Sequence, residues 1–285
     1  MAKVSGKSLS FGFSVEREIS NLQSFIVAVD FSDITATAGS YRARNSFDFV
    51  FPRLGEAFLA GEFIYEDPDF VFASNEVSGT ISSFSFANVE DFDPVTGVGN
   101  GFSGIFQVSD LGETSIDFVD FISLQPSDVA AAVLKGKDKI EGSAFDDSLD
   151  GYSGKDKIRG GDGNDLLLGG KGSDRLFGDD GDDTLKGEKG NDILDGGKGF
   201  NKLIGGSGRD VFKFNKKGVQ RVMDFNPLED KIDLPGPESE FDQFSFFQKN
   251  DTTVLVGYAG DDIESSFNLL LKGNQPFAIE NVNLI

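Results

Sequence analysis

Between residues 133 and 213 the polar and hydrophobic positions repeat with a period of nine. Eight consecutive units begin at Gly142, reading GSAFDDSLD, GYSGKDKIR, GGDGNDLLL, GGKGSDRLF, GDDGDDTLK, GEKGNDILD, GGKGFNKLI and GGSGRDVFK. Position one is Gly and position eight is apolar in all eight units. Position four is Gly in seven units, with Phe145 as the exception, and position six is Asp in seven, with Asn201 as the exception. Four columns held in phase indicate a repeat architecture.

This unit predicts a tight turn followed by a short strand. Glycine reaches backbone angles that other residues avoid, which suits the first six positions to a turn. The last three positions alternate polar, apolar, polar, so one side chain of each strand faces inward. Stacked units then form a parallel coil with an apolar interior. Its predicted interior column is Leu149, Ile158, Leu167, Leu176, Leu185, Leu194, Leu203 and Phe212.

The sixth position supplies candidate metal ligands. Stacking places its carboxylates close together, which is unfavourable unless cations lie between them. Carboxylates and backbone carbonyls are hard oxygen ligands of the kind that Ca²⁺ prefers. With a degraded unit that precedes Gly142, the column comprises Asp138, Asp147, Asp156, Asp165, Asp174, Asp183, Asp192, Asn201 and Asp210.

The nonapeptide resembles the calcium-binding repeat of RTX (hemolysin-type) proteins. The resemblance implies a parallel β-roll whose successive units turn at opposite edges, with each Ca²⁺ between two consecutive turns of the same edge. One edge then pairs Asp138 with Asp156, Asp156 with Asp174, Asp174 with Asp192 and Asp192 with Asp210. The other edge pairs Asp147 with Asp165, Asp165 with Asp183 and Asp183 with Asn201.

The resemblance also implies carbonyl ligands from positions one to four of each turn. The candidates are Gly151, Gly160, Gly163, Gly169, Gly172, Gly181 and Gly190. The pairs allow at most seven Ca²⁺ ions. We expect about five or six sites to fill, because the first turns lack Gly at key positions.

The region before the repeat is predicted to be an antiparallel β sandwich or barrel. Phenylalanines and aliphatic residues alternate with polar ones, which is the period of a half-buried strand. The predicted strands lie in Ser24–Ala36, around Phe47, Phe49 and Phe51, around Phe70 and Phe72, and from Ile81 to Phe86. Pro126, Ser127 and Asp128 precede VAAAVL and predict a short capped helix.

The region after the repeat is predicted to be a β cap. Residues 222–234, VMDFNPLEDKIDL, resemble the segment that follows the last repeat in many RTX proteins. Within it Asp224, Asp230 and Asp233 are candidates for one more cation or, preferably, for closing the end of the roll. Further strands are predicted in Phe244–Phe247, Thr252–Val256 and Phe267–Leu271.

The net charge differs between the repeat and the regions before and after it. Residues 1–132 carry a net charge of −13, residues 133–213 carry −3 and residues 214–285 carry −6. We therefore predict a Phe-rich N-terminal β domain, the roll, and a C-terminal cap with a secretion signal over these ranges. By this interpretation the whole chain is all-β. Its net charge of −22 disfavours nucleic acid as a partner.

Composition excludes several kinds of site. The 285 residues include neither His nor Cys, so disulfides, thiolate zinc sites, Ser-His-Asp triads and His-ligated haem are impossible. The longest apolar run, Val129 to Leu134, is far shorter than the ~20 residues of a transmembrane helix. The first twenty residues contain no signal-peptide stretch.

The family resemblance supplies an export route. RTX proteins leave bacteria by type I secretion through an ABC exporter that reads an uncleaved C-terminal signal. We therefore expect a secreted bacterial protein, extracellular or bound to the cell surface, with its signal in roughly the last 60 residues. An anionic polysaccharide or a cell surface is the candidate partner outside the cell.

Three functions remain open for the N-terminal region. The preferred one is a non-enzymatic calcium-binding protein that acts at a surface or in a matrix. The second is a polysaccharide-modifying enzyme, lyase- or epimerase-like, with candidate residues Tyr41, Arg42, Arg44, Glu62, Tyr65 and Glu66. The third is a haem or small-ligand carrier, for which Tyr41 or Tyr65 would have to be the ligand. None of these residues has a recognisable motif spacing.

Overall fold

The computed structural model describes most of the repeat and separate strands on either side of it. The described residues are 3–5, 14–17, 19–20, 23, 45–52, 58–65, 71–73, 76–78, 80–90, 101–109, 116–117, 123–214, 218–234, 244–250, 253–258, 267–273 and 285. The chain divides into two compact units, Met1–Ala144 and Phe145–Ile285. The three-part division expected from the sequence remains a prediction.

The first unit is built around an antiparallel sheet. Its strands are β1 (Lys3–Ser5), β2 (Asn45–Pro52), β3 (Phe58–Tyr65), β4 (Val71–Ala73), β5 (Glu76–Ser78), β6 (Thr80–Glu90), β7 (Gly101–Ser109), β8 (Ile116–Asp117) and β9 (Lys139–Glu141). The main sheet has the order β2-β3-β6-β7-β1-β9, with only the β1–β9 pair parallel among these neighbours. Strand β8 pairs with β6, and β4 and β5 form a separate antiparallel pair.

Several predicted elements of this unit are confirmed. Phe47, Phe49 and Phe51 lie on β2, and the segment from Ile81 to Phe86 lies on β6. Phe72 lies on β4, whereas Phe70 and the predicted strand Ser24–Ala36 fall outside the described residues.

The predicted helix is present as α1 (Pro126–Val133). Pro126 occupies its first turn, where a missing N–H costs no hydrogen bond. The predicted side-chain cap is absent, since Gln125 is the N-cap residue and its side chain makes no capping hydrogen bond. Val129, Ala130 and Val133 are buried, so packing of one face stabilises this short helix.

The second unit begins with a two-sheet coil. Its strands are β10 (Ser148–Asp150), β11 (Ser153–Gly154), β12 (Lys157–Asp162), β13 (Leu166–Gly172), β14 (Arg175–Asp180), β15 (Thr184–Lys189), β16 (Ile193–Asp195), β17 (Gly199–Ser207), β18 (Val211–Lys213), β19 (Gly218–Phe225) and β20 (Lys231–Asp233). One parallel sheet has the order β12-β14-β16-β18-β20 and the other has the order β10-β13-β15-β17-β19.

Register shows that one full turn of the coil comprises two nonapeptide units. Leu167 pairs with Leu185, and Leu185 pairs with Leu203, so equivalent positions of alternate units stack. The eighth-position side chains are at most 1% exposed in all eight units, which confirms the predicted apolar interior. The prediction of a parallel β-roll within an all-β protein is therefore confirmed.

Three strands follow the coil: β21 (Phe244–Asn250), β22 (Thr253–Tyr258) and β23 (Phe267–Gly273). Strand β23 lies parallel to β19, and β22 and β21 continue that sheet in antiparallel order. The predicted C-terminal strands are thus confirmed, and they extend one sheet of the roll. Within the part of the chain that the structure describes, no helix is long and apolar enough to cross a membrane.

Candidate metal centre

Glycines allow consecutive coils to approach closely at the turns. Gly172 has φ +140° and Gly181 has φ +142°, angles that side-chain-bearing residues rarely adopt. A Cβ on Gly172 would collide with the carbonyl oxygen of Gly154, and a Cβ on Gly181 with that of Gly163. The fourth-position glycines therefore let backbone carbonyls line the space between turns.

The sixth-position side chains form a continuous hydrogen-bonded ladder along each edge. One side-chain oxygen, Oδ1, accepts the backbone N–H of the sixth-position residue in the preceding turn of the same edge. The distances from the backbone N to Oδ1 are 2.8 Å for Asp147 to Asp165, 2.8 Å for Asp156 to Asp174, 2.9 Å for Asp165 to Asp183, 2.8 Å for Asp174 to Asp192, 2.8 Å for Asp183 to Asn201 and 2.9 Å for Asp192 to Asp210. The ladder fixes each carboxylate between two turns.

The second carboxylate oxygen remains unsatisfied at four interior positions. Oδ2 of Asp165, Asp174, Asp183 and Asp192 is buried and has no hydrogen-bond partner. Buried polar atoms of this kind need an explanation, such as an ion, because burial without a partner is costly. These four oxygens are the strongest structural indication of a cation site.

Backbone carbonyls complete the same spaces. A Cβ added to Gly169 would lie 2.8 Å from Oδ2 of Asp174 and 2.8 Å from the carbonyl oxygen of Gly187. The corresponding points at Gly160, Gly178 and Gly187 also lie within 3.0 Å of a sixth-position Oδ2 and of a carbonyl from the following turn of the same edge. Only a residue without a side chain leaves this space open, and the donor set of oxygens fits Ca²⁺.

Burial makes the ionised carboxylates unfavourable without a cation. Loss of hydration is the main cause that raises their pKa, and repulsion from neighbouring carboxylates adds to it at Asp165, Asp174 and Asp183, whereas the backbone N–H bond lowers it. The pKa rises to about 7 for Asp165 and Asp210 and to about 6 for Asp174, Asp183, Asp192 and Asp230. A bound divalent cation would reverse this cost by compensating the charge.

The structure brings most of the predicted site residues together. The seven Asp residues from Asp147 to Asp210, together with Asn201, are buried in the two ladders, and the predicted glycines lie in the adjoining turns. Asp138 is buried beside β9 in the first unit, and its partnership with Asp156 remains a prediction. Among the described residues, no group of three or more carboxylates forms a ready metal cluster. Any cation between turns therefore depends on backbone carbonyls as well as on Asp.

Three features of the site were missed by the sequence analysis. Asp230 continues one ladder, since its Oδ1 accepts the N–H of Asp210 at 3.0 Å. Gln220, fully buried, lies opposite Asn201, so this edge continues beyond the last pair predicted for it, Asp183 with Asn201. Both offsets are longer than two nonapeptide units, so counting along the repeat in steps of two units reaches neither residue.

The third missed feature is a second ladder at position five. Here the side chain accepts an N–H from the following turn of the same edge: Asp146 from Asn164 at 2.7 Å, Asn164 from Asp182 at 2.8 Å, Asp182 from Phe200 at 2.8 Å and Asn191 from Arg209 at 2.9 Å. The signal was an excess of Asp, Asn and Ser at this position, which share an acceptor oxygen.

The three carboxylates named for the tail have separate roles. Asp224 accepts hydrogen bonds from the N–H groups of Gly205 and Gly206, at 3.0 and 2.8 Å, and so closes the last turn. Asp233 forms an ion pair with Lys213 at 3.3 Å. Together with the ladder bond of Asp230, this arrangement favours the expected closing role for the segment.

For the residues of the enzymatic and carrier alternatives, the structure gives only their places on strands. Glu62 and Tyr65 lie on β3, whereas Tyr41, Arg42, Arg44 and Glu66 fall outside the described residues.

Among the comparisons with known proteins, a family model matches the residues of the roll. The model of the RTX calcium-binding nonapeptide repeat, which spans four copies, matches residues 135–167, 168–203 and 187–213. Similar solved structures include the AlgE6R3 subunit from the Azotobacter vinelandii mannuronan C5-epimerase, with 23% identity, 53% of this chain and 78% of that chain covered, and a TM-score of 0.27. They also include the extracellular lipase LipA from Serratia marcescens, with 16% identity, 53% and 38% covered, and a TM-score of 0.24. No curated protein gave a significant match.

Proposed function

Because this chain is an RTX calcium-binding repeat protein, we propose that it is a secreted, non-enzymatic protein whose roll folds when Ca²⁺ enters the spaces between its turns. The observation that carries the proposal is the set of four buried Oδ2 atoms without a hydrogen-bond partner. On both edges they lie near carbonyl oxygens from the glycine turns. Asp138, Asp147, Asp156, Asp210 and Asn201 are proposed as further members of the ligand columns.

The Ca²⁺ concentration can control whether such a roll is folded. At ten times its dissociation constant, Ca²⁺ stabilises the folded state by about 1.4 kcal/mol per site. Five or six independent sites together supply on the order of the stability of a whole domain. Extracellular Ca²⁺ modules bind at roughly 10⁻⁴–10⁻³ M, so a roll of this type stays open at low cytosolic Ca²⁺ and closes outside the cell.

Secretion is part of the same proposal. We infer export by a type I ABC exporter from a bacterium, followed by folding in the extracellular medium or at the cell surface. The repeat family supports this route, and the absence of Cys from all 285 residues is compatible with an oxidising environment.

Circular dichroism and limited proteolysis of the full chain test the folding step. With EGTA we expect cleavage within residues 145–213 and a reduced β signal, and with millimolar Ca²⁺ we expect protection of this region. Mg²⁺ at the same concentration serves as the control, since it demands a smaller, near-octahedral site and should protect much less. Full protection of the roll in EGTA would contradict the proposal.

A further inference from the structure

An aromatic ring surrounded by cations lies on the outer face of β12 and β14. Lys157 and Arg159 flank the buried Ile158, and Arg175 and Phe177 flank the buried Leu176, so all four side chains point away from the interior. Register places Lys157 beside Arg175 and Arg159 beside Phe177. We call these four residues the cationic patch.

The patch is ordered by its own contacts. Nζ of Lys157 lies 5.4 Å from the centroid of the Phe177 ring, and Cζ of Arg159 lies 5.1 Å from it. Both distances are within the range of cation–π attraction. Nη1 of Arg159 also donates to both carboxylate oxygens of Asp179, at 2.6 and 2.7 Å. Arg159 is therefore fixed over one side of the ring.

Among the described residues, no carboxylate forms an ion pair with Lys157 or Arg175, the other two cations of the patch. They stand on neighbouring strands, which lie about 4.8 Å apart in a sheet. Like charges directly opposite each other destabilise a sheet, and an anion placed between them would relieve the repulsion.

We propose that the cationic patch binds an anionic polysaccharide built from uronic acids. A uronate carries a carboxylate that can lie between Lys157 and Arg175. The Phe177 ring, over which Lys157 and Arg159 already lie, holds Lys157 in place beside that carboxylate. The inference rests on the proposed function, because the patch exists only when the roll is folded.

Charge density favours this occupant over nucleic acid. The whole chain carries −22, and it repels a polyphosphate, with one charge per about 1.7 Å of duplex, more strongly than a chain with one carboxylate per sugar. Ca²⁺ bound in the turns would also offset the acidic columns of the roll. Long-range repulsion of a uronate chain is then weakest in the calcium-loaded protein.

Titration calorimetry of the calcium-saturated full chain with a short oligouronate tests the proposal. Oligomers too short to form a calcium gel keep ion bridging between sugar chains out of the measurement. We expect Lys157→Gln/Arg175→Gln to weaken binding about tenfold, from the loss of two charge contacts. We expect Phe177→Leu, which keeps an apolar side chain without a ring face, to weaken binding several-fold.

The matched control is Lys186→Gln/Lys202→Gln. These lysines lie on the outer face of β15 and β17, carry the same total charge and are not opposite each other in the register. The control should change affinity by less than about twofold, since only the long-range field is altered. A neutral oligosaccharide of the same length should not bind.

Four results would overturn the inference. They are equal losses in the two double variants, unchanged binding in the patch variant, equal binding of the neutral sugar, or tighter binding of a short DNA than of the oligouronate. Dichroism in Ca²⁺ keeps the two proposals distinct. A protein that folds with Ca²⁺ but ignores the oligouronate contradicts only this inference, whereas a roll that is fully folded in EGTA contradicts the proposed function.

Discussion

Gln220 lies opposite Asn201 in the parallel pair of β17 and β19, and its Nε2 donates a hydrogen bond to the carbonyl oxygen of Gly197 at 2.9 Å. Nδ2 of Asn201 donates in turn to the carbonyl oxygen of Lys198 at 3.1 Å. Interior turns of the same column present a buried carboxylate oxygen without a partner, whereas at this end the unpartnered buried atom is Oε1 of Gln220, a neutral amide oxygen. One edge of the roll therefore closes with hydrogen bonds between amides and backbone.

Asn201→Asp should have opposite effects with and without calcium. Oδ1 of Asn201 already accepts the N–H of Asp183 at 2.8 Å, so an aspartate fits the ladder. The new carboxylate adds a charged ligand and should lower the Ca²⁺ midpoint for folding several-fold. Without Ca²⁺ it loses the bond to Lys198 and should destabilise the roll by about 1 kcal/mol.

Calorimetric titration and Ca²⁺-dependent dichroism measure both effects. Asn191→Asp is the matched control, because Asn191 is a position-five residue whose Oδ1 accepts the N–H of Arg209. Its midpoint should stay close to that of the wild type. An unchanged midpoint in Asn201→Asp would show that the space shared with Asp183 does not bind Ca²⁺.

Asp174→Asn should weaken calcium binding and relieve strain in the calcium-free roll. The amide oxygen can keep the bond to the N–H of Asp156, while the amide nitrogen replaces the unpartnered Oδ2. We expect a Ca²⁺ midpoint at least about tenfold higher, since one of the few charged ligands is removed. Asp182→Asn, at an exposed position-five site, should leave the midpoint nearly unchanged, and an equal shift in the two variants would contradict the assignment of ligands.

The calcium requirement should depend on pH. Burial raises the pKa of Asp165 from its usual 3.8 to about 7, so the folded calcium-free roll binds protons that the unfolded chain releases. Its free energy of unfolding should therefore fall as pH rises from about 4 to about 7 and then level off. Ca²⁺ and protons compete for the same carboxylates of the folded roll, so protonation reduces the extra stability that Ca²⁺ adds.

The stability that saturating Ca²⁺ adds over metal-free buffer should therefore be largest near pH 7.5 and smaller near pH 5.5, because the unfolded chain and the calcium-loaded roll are both ionised in this range whereas the calcium-free roll takes up protons. Thermal unfolding followed by dichroism, with and without Ca²⁺ at a series of pH values, gives this difference. A difference that does not change with pH across this range would mean that the buried carboxylates titrate normally.

Gly172→Ala should destabilise the roll even at saturating Ca²⁺. Its φ of +140° and the nearby carbonyl of Gly154 leave no room for a methyl group. The cost should be at least about 2 kcal/mol in thermal or urea unfolding. Gly136→Ala is the control, because nothing lies within 4 Å of the added Cβ, and it should change stability by less than about 0.5 kcal/mol. Similar losses in both variants would contradict the close-approach argument.

Sequence alone predicted the part of the fold that repeats. The pairing of Leu167 with Leu185 follows from counting two units, and so does the ladder contact between Asp165 and Asp183. Both depend on a spacing that recurs in every unit, so a single exception, such as Phe145 at a fourth position, does not obscure the pattern.

The end of the roll follows no such period. Asp230 and Gln220 reach the ladders from a segment whose spacing differs from nine, so their partners depend on how the chain leaves the last turn. In the first unit, alternation identified β2 and β6 as strands. It gave no information on the order β2-β3-β6-β7, because strand pairing is a non-local property.

The position-six ladder and the position-five ladder of the roll run in opposite directions along the chain. A position-six side chain such as Asp183 holds the backbone of the turn before it, at Asp165, whereas a position-five side chain such as Asp182 holds the turn after it, at Phe200. Two adjacent residues thus couple one coil to both of its neighbours. Damage at position six should accordingly loosen the preceding coil first, and damage at position five the following one. Local hydrogen exchange would then distinguish the two columns. Loss of protection in the preceding coil would indicate a broken position-six bond, and loss in the following coil a broken position-five bond.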